Sequence, residues 1–166
     1  MTDPLQRPSG RALAALAAVV AALAVAVTFA VIEIRHDSNG DSLGGERSTA
    51  TALAAQYAVD FTSIDYHHMQ EEAAAEAKNA TSAFGAVYTA TIKTFQPYYT
   101  QHTIVEKTTV QRSALSSINA KSAVALIALD AVTTQKGRPA TDRLLRVRIT
   151  LSKVDGRWLM SNLTTL

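Results

Sequence analysis

Five polar residues that lie close together in the chain, Asp60, Asp65, Tyr66, His67 and His68, are the ones whose types could do chemistry. A carboxylate held beside an imidazole or a phenol can act as a general acid or base, provided the groups converge in a dry pocket. Their spacing argues against that. Asp60 and Asp65 fall on opposite edges of one helical stripe, and His67-His68 falls where that helix should end. The histidines also lack the i, i+4 relation that puts two zinc ligands on one helical face. They are expected at a solvated helix terminus, and His102 as a lone surface residue of a strand. The chain contains no cysteine, so neither a disulfide nor a thiolate metal site can form. No nucleophile or phosphate-binding motif appears elsewhere, and no catalytic residue, metal or cofactor is expected.

Two other groups of residues could form binding surfaces. Tyr57, Phe61, Tyr88, Phe95 and Trp158 could line a small cavity between helices and sheet, although each sits at the spacing its own element's buried face requires, as core packing would have it. Arg146 and Arg148, with neighbouring Arg143 and Arg157, form a basic strand face that could dock an anionic lipid or an acidic partner. It lacks the interleaved aromatics of single-strand nucleic-acid binding, so no nucleic-acid partner is expected. Charge is unevenly spread behind the net +2: His36 to Glu76 carries eight acids against Arg47 alone, and Lys78 to Leu166 carries twelve Lys or Arg against four acids. Asn79-Ala80-Thr81 matches the glycosylation sequon.

The elements that must position these residues follow from periodicity. Ala50, Leu53, Ala54, Tyr57, Ala58, Phe61 and Ile64 make one apolar stripe of an amphipathic helix, with Ser48 or Thr49 as its cap. A more polar helix is expected over Met69 to Lys78, and a third over Thr81 to Phe95, ended or kinked near Gln96 by Pro97. From about Thr103 the period becomes two, which predicts four strands: His102 to Leu115, Ser122 to Thr133, Arg143 to Val154 and Arg157 to Leu163. Asn119-Ala120-Lys121 turns between the first pair, and Lys136-Gly137-Arg138-Pro139 reads as a longer loop. Asp155-Gly156 signals a two-residue type I′ hairpin. Pairing Val154 with Arg157 sets Lys153 opposite Trp158, Leu151 opposite Met160 and Ile149 opposite Asn162. Val147, Ile149, Leu151, Trp158 and Met160 then share one face, and Arg146, Arg148, Thr150 and Ser152 the other.

Ahead of all this, Ala12 to Ile32 runs for twenty-one residues without a charge. As a helix it would reach about 31 Å, close to the roughly 30 Å hydrocarbon core of a bilayer. The competing reading is a cleaved signal peptide with Ala24-Val25-Ala26 as its site, but the apolar run continues through Val27, Phe29, Val31 and Ile32, which fits an uncleaved anchor better. Arg7 and Arg11 balance Arg35 and Arg47, so the short tail, rather than charge, places the N-terminus in the cytoplasm and the C-terminal domain outside it. Ala14, Ala18, Ala22, Ala26 and Ala30 form a small-xxx-small stripe that could pack another membrane helix. The expected organisation is a tail over residues 1–11, a transmembrane helix over 12–34, a polar Gly-rich linker over 35–47, and an exported α+β domain over 48–166.

The order of elements, with Phe61-Thr62-Ser63-Ile64-Asp65-Tyr66, Ala80-Thr81-Ser82-Ala83-Phe84, Tyr88 and Val154-Asp155-Gly156-Arg157-Trp158-Leu159-Met160-Ser161, resembles the Mce-associated membrane proteins of actinobacteria, which accompany mammalian-cell-entry lipid importers. The resemblance implies a cone-shaped, nuclear transport factor-like domain, about three helices on a mainly antiparallel four-stranded sheet. It also implies a non-enzymatic accessory subunit that assembles or stabilises a lipid or sterol importer through contacts with transporter or other envelope-complex subunits. The layout is similar, too, to the assembly subunit of type IV secretion systems. A small-ligand or lipid-binding domain, or an acid–base isomerase or dehydratase, would use the same fold.

Overall fold

The computed structural model describes residues 44–166. The anchor, its alanine stripe and most of the linker lie outside the described residues. The domain begins with helix α1 (Gly44–Thr62), then a two-residue strand β1 (Ile64–Asp65), helix α2 (Met69–Glu76), a 3-10 turn (Ala77–Asn79) and helix α3 (Ser82–His102). Four long strands follow: β2 (Val105–Ile118), β3 (Ser122–Gln135), β4 (Arg138–Val154) and β5 (Arg157–Thr165). The α+β expectation therefore holds, with five strands rather than four. They form one antiparallel sheet in the order β1-β2-β3-β4-β5. The extra strand is β1, where Ile64 and Asp65 pair with Glu106 and Val105. Ile64 thus leaves the helical stripe, because two residues are too few to give a period-two signal.

Gly44 to Arg47, within the stretch expected to be linker, are helical in α1. Glu46 forms an ion pair with Lys153 of β4, and Lys153 Nζ stands 5.3 Å from the centroid of the Trp158 ring. These contacts support the helical conformation of Gly44-Gly45, which intrinsic propensity disfavours by about 1 kcal/mol per glycine. Ser48 and Thr49 are not caps: both hydroxyls donate back to the Gly45 carbonyl at 3.0 Å. Ala50, Ala54, Tyr57, Ala58 and Phe61 are buried along α1, three of them small enough to let the helix lie close to the sheet.

α3 runs past Pro97 to His102. Proline removes one helical hydrogen bond, but Phe95 and Tyr99, on either side of it, both line a cavity against the sheet, and this packing offsets the loss. The helix ends instead at Thr103, in the left-handed region with φ 50°, whose N–H bonds to the carbonyls of Thr100 and Tyr99. His102 is consequently a helix residue beside Tyr98, with ring centroids 4.5 Å apart and planes inclined by 53°, and not a strand residue.

The Asp155-Gly156 turn has φ 49° and 77°, as a type I′ hairpin needs, and Val154, Lys153 and Leu151 face Arg157, Trp158 and Met160. Ile149 faces Leu163, not Asn162. A bulge at Ser161, whose hydroxyl donates to Thr150 O at 3.1 Å, shifts the register by one. The expected loop at Lys136–Pro139 is a tight turn: Gln135 pairs with Arg138 across Lys136-Gly137, with Gly137 at φ 76°. Pro139 lies beside the irregularity between Thr133 and Gln135, where a missing N–H is tolerated.

Candidate functional site

The inner face of the sheet carries Ala123, Ala125, Ile127 and Leu129 of β3, Leu145, Val147, Ile149 and Leu151 of β4, and Trp158, Met160 and Leu163 of β5, all buried in the core. α1 and α3 close most of this face. Where they do not meet it tightly, an apolar cavity of about 120 Å³ remains, walled by Phe61, Met69, Tyr88, Ile92, Phe95 and Leu145. Of the five aromatics that could have lined a cavity, Phe61, Tyr88 and Phe95 do so, and Tyr57 and Trp158 pack apart from it. Tyr57 donates its hydroxyl to the Trp158 carbonyl at 3.2 Å, and burial raises its pKa.

One rim of the cavity is polar. Arg143 donates to Glu106 at 2.7 Å, and Thr133 donates to the other carboxylate oxygen at 2.9 Å. Glu106 is only 7% exposed. Sequence reasoning missed it, because a carboxylate at an inward position reads as a break in the alternation unless its partner, 37 residues later, is known. Tyr99 lines the same region, and burial, then the Glu106 charge, pushes its hydroxyl up to about 12.

Arg143 therefore does not belong to the basic face. Successive strand residues alternate sides, so Arg143 shares the inner side with Leu145 and Val147, whereas Arg146, Arg148 and Arg157 point outward. Arg146 pairs across the sheet with Ala128, which pairs with Arg112, so two guanidinium-bearing residues flank one small residue on the outer face. Leu126, 39% exposed, and Leu144, 54% exposed, lie on this same face beside Arg148 and Asp130.

The five residues weighed first as chemistry are brought together only in part. Asp65 accepts from the backbone N–H of His67 at 3.0 Å and from its ring at 2.7 Å, and these bonds lower the Asp65 pKa. The cluster sits on the surface, with His67 and His68 exposed in the turn before α2. Asp60 accepts from Gln56 one turn back on α1 at 2.8 Å. Among the described residues, no group of three His, Asp or Glu could hold a metal ion.

A different titratable pair is more deeply set. Tyr88 donates its hydroxyl to Glu76. Burial raises Glu76 to about 7, against the opposing effect of that hydrogen bond, and Asp60 and Glu72 push the same way as burial. Glu76 does not line the 120 Å³ cavity but a crevice of about 10 Å³ with Tyr88 and Glu72, room for about one water. The pair bridges the two spaces, Tyr88 lining the cavity as well as the crevice and Glu76 the crevice alone. It should show in stability: a raised carboxylate pKa means full stability below about 4.5, lost as pH rises through about 7. For a half-buried carboxyl screened by solvent the loss is about 1–2 kcal/mol. Glu76→Gln should flatten that part of the pH–stability curve measured by urea unfolding, and an unchanged slope would rule the linkage out.

The segments that carried the family resemblance are a packing seam. Thr81 caps α3, accepting from Phe84 N at 3.4 Å, and its own N–H bonds to Met160 O at 2.8 Å, beside a bridge between Ala80 and Met160. The sequon threonine is thus a structural cap.

A meander of four long strands and one short one, with three helices on one face, defines an α+β domain with a single antiparallel sheet. Similar solved structures are an IcmL-like type IV secretion system protein from Legionella pneumophila (TM-score 0.62, 11% identity, covering 72% of this chain and 91% of that one) and VirB8 from Agrobacterium tumefaciens (TM-score 0.59, 12% identity, 74% and 92%). A periplasmic fragment of TraM is also similar (TM-score 0.57, 11% identity, 71% and 95%). At these identities the likeness is one of fold. The chain belongs to the family described as "Uncharacterized protein Rv1363c/MT1408-like", whose model matches residues 11–165. Among its relatives in Mycobacterium tuberculosis, Rv1363c is 29% identical over 118 residues, 70% of this chain and 45% of that protein, and Rv1362c is 28% identical over 134 residues, 80% and 60%. The chain spans about half the length of the curated relatives it matches.

Proposed function

We propose that this protein is a non-enzymatic assembly subunit of a cell-envelope complex, anchored by Ala12 to Ile32 with its α+β domain outside the cytoplasm, and that the outer face of its sheet meets another subunit. The observation that carries this reading is that face. It presents Arg112, Arg146 and Arg148 beside the exposed leucines 126 and 144, while the opposite face is buried under helices. Apolar area interleaved with guanidinium groups suits a protein partner with an acidic surface, since Arg is enriched and Lys depleted at the cores of such interfaces. Likeness of fold to subunits of type IV secretion systems supports an assembly role. The resemblance to Mce-associated proteins supports a narrower form of the same reading, in which the complex is a lipid or sterol importer.

The test is a mild-detergent pull-down of the full-length protein from its own host. Envelope-complex subunits should accompany the wild type, and Arg146→Glu/Arg148→Glu should reduce them about tenfold or more, because like charges set against an acidic partner cost several kcal/mol. Circular dichroism of the variant should be unchanged, both side chains being exposed. Recovery of the protein alone, or full retention of partners by the double variant, would overturn the reading.

A further inference from the structure

We propose that the cavity between α3 and the sheet is a binding site for a small uncharged amphiphile, an apolar body of about benzene size carrying one hydroxyl or carbonyl group. Close-packed interiors keep few voids larger than a water molecule. This one is about 120 Å³, slightly below the roughly 150 Å³ apolar cavity that takes up benzene. Its walls are aromatic and aliphatic, from Phe61, Met69, Tyr88, Ile92, Phe95 and Leu145.

The polar requirement comes from the hydroxyls on the wall. Thr62 is hydrogen-bonded to Ala58 O at 2.6 Å and to Thr108 at 2.9 Å, and Thr91 donates to Val87 O at 2.8 Å. Thr165 also lines the cavity, and its Oγ1 is buried with no hydrogen-bond partner among the described residues. Buried polar atoms are rarely left so. That oxygen is turned away from the open space, and rotation about the Thr165 Cα–Cβ bond to another staggered position brings it to a ligand hydroxyl or carbonyl while the rest of the ligand lies on the aromatic wall. An ionic ligand finds no unpaired counter-charge there: Arg143 and Glu106 neutralise one another at 2.7 Å, and the second Glu106 oxygen is taken by Thr133, so a charge brought into the cavity would lose its water without compensation.

The proposal does not depend on the assembly reading and is tested separately. Cyclopentanol, methylcyclopentane and cyclopentanecarboxylate would be titrated into the full-length protein while the methyl NMR signals of Met69 and Ile92 are followed. Cyclopentanol should shift both signals saturably and bind more tightly than the carboxylate. Thr165→Val should weaken cyclopentanol about two- to tenfold, the range of one net hydrogen bond, and leave methylcyclopentane unchanged. The wild-type comparison of alcohol with carboxylate stands even if the variant folds poorly. Absence of saturable shifts, tighter binding of the carboxylate, or equal loss of alcohol and hydrocarbon in Thr165→Val would each overturn the proposal. Tighter binding of 1-octanol at the same methyls would make the cavity a port for an acyl chain and overturn it too.

Discussion

Phe61→Ala should lower the unfolding free energy by about 3–5 kcal/mol, the range for emptying a buried aromatic position. The ring is 6% exposed and stands at the centre of an aromatic cluster, 4.7 Å from Tyr88, 5.7 Å from Phe84 and 6.4 Å from Tyr57 by centroid. It joins α1 to α3. Because the 120 Å³ cavity already borders it, the space left by the ring would merge with that cavity rather than collapse, which favours the upper part of the range. Equilibrium urea unfolding of the two proteins decides it, and a loss below about 1 kcal/mol would mean that α1 and α3 do not meet through this ring.

Arg143→Ala should cost about 2–3 kcal/mol, well above the 0–1 kcal/mol of an exposed surface pair. Its partner is the reason. The Glu106 side chain is 9% exposed and Arg143 47%, so removing the arginine leaves a buried carboxylate held by Thr133 alone. The exposed half of Arg143 keeps the figure below the 3–5 kcal/mol of fully buried pairs. Arg143→Ala/Glu106→Gln should recover more than half of the loss, since a neutral amide needs no counter-charge. A single variant as stable as the wild type, or a double variant no better than the single, would place Arg143 back among solvated surface residues.

Much of the fold is local and was legible. The α1 stripe, the polar short α2, the period-two alternation and the Asp155-Gly156 turn all depend on residues a few positions apart. Errors fell where a local signal was overruled from a distance. Pro97 reads as a helix end, yet α3 continues because Phe95 and Tyr99 pack toward the sheet. Lys136 to Pro139 reads as a loop, yet the sheet absorbs Pro139 beside an irregularity. Gly44-Gly45 reads as linker, yet the ion pair of Glu46 with Lys153, 107 residues away, closes a helical turn there.

By itself the sequence determined the class of fold, the absence of cysteine chemistry, the uncharged run at Ala12 to Ile32, and the sidedness of the β4–β5 hairpin, since alternation about a two-residue turn leaves one face apolar. Only the tertiary structure decided which residues meet. It put Arg143 with Glu106 on the inner side and apart from Arg146 and Arg148, bonded Tyr88 to Glu76, and left a cavity beside Phe61 with the Thr165 hydroxyl in its wall. These are contacts across elements. Periodicity states which side of an element is buried, but the fit of that side against another, and the space remaining between them, depends on the packing of all the elements at once.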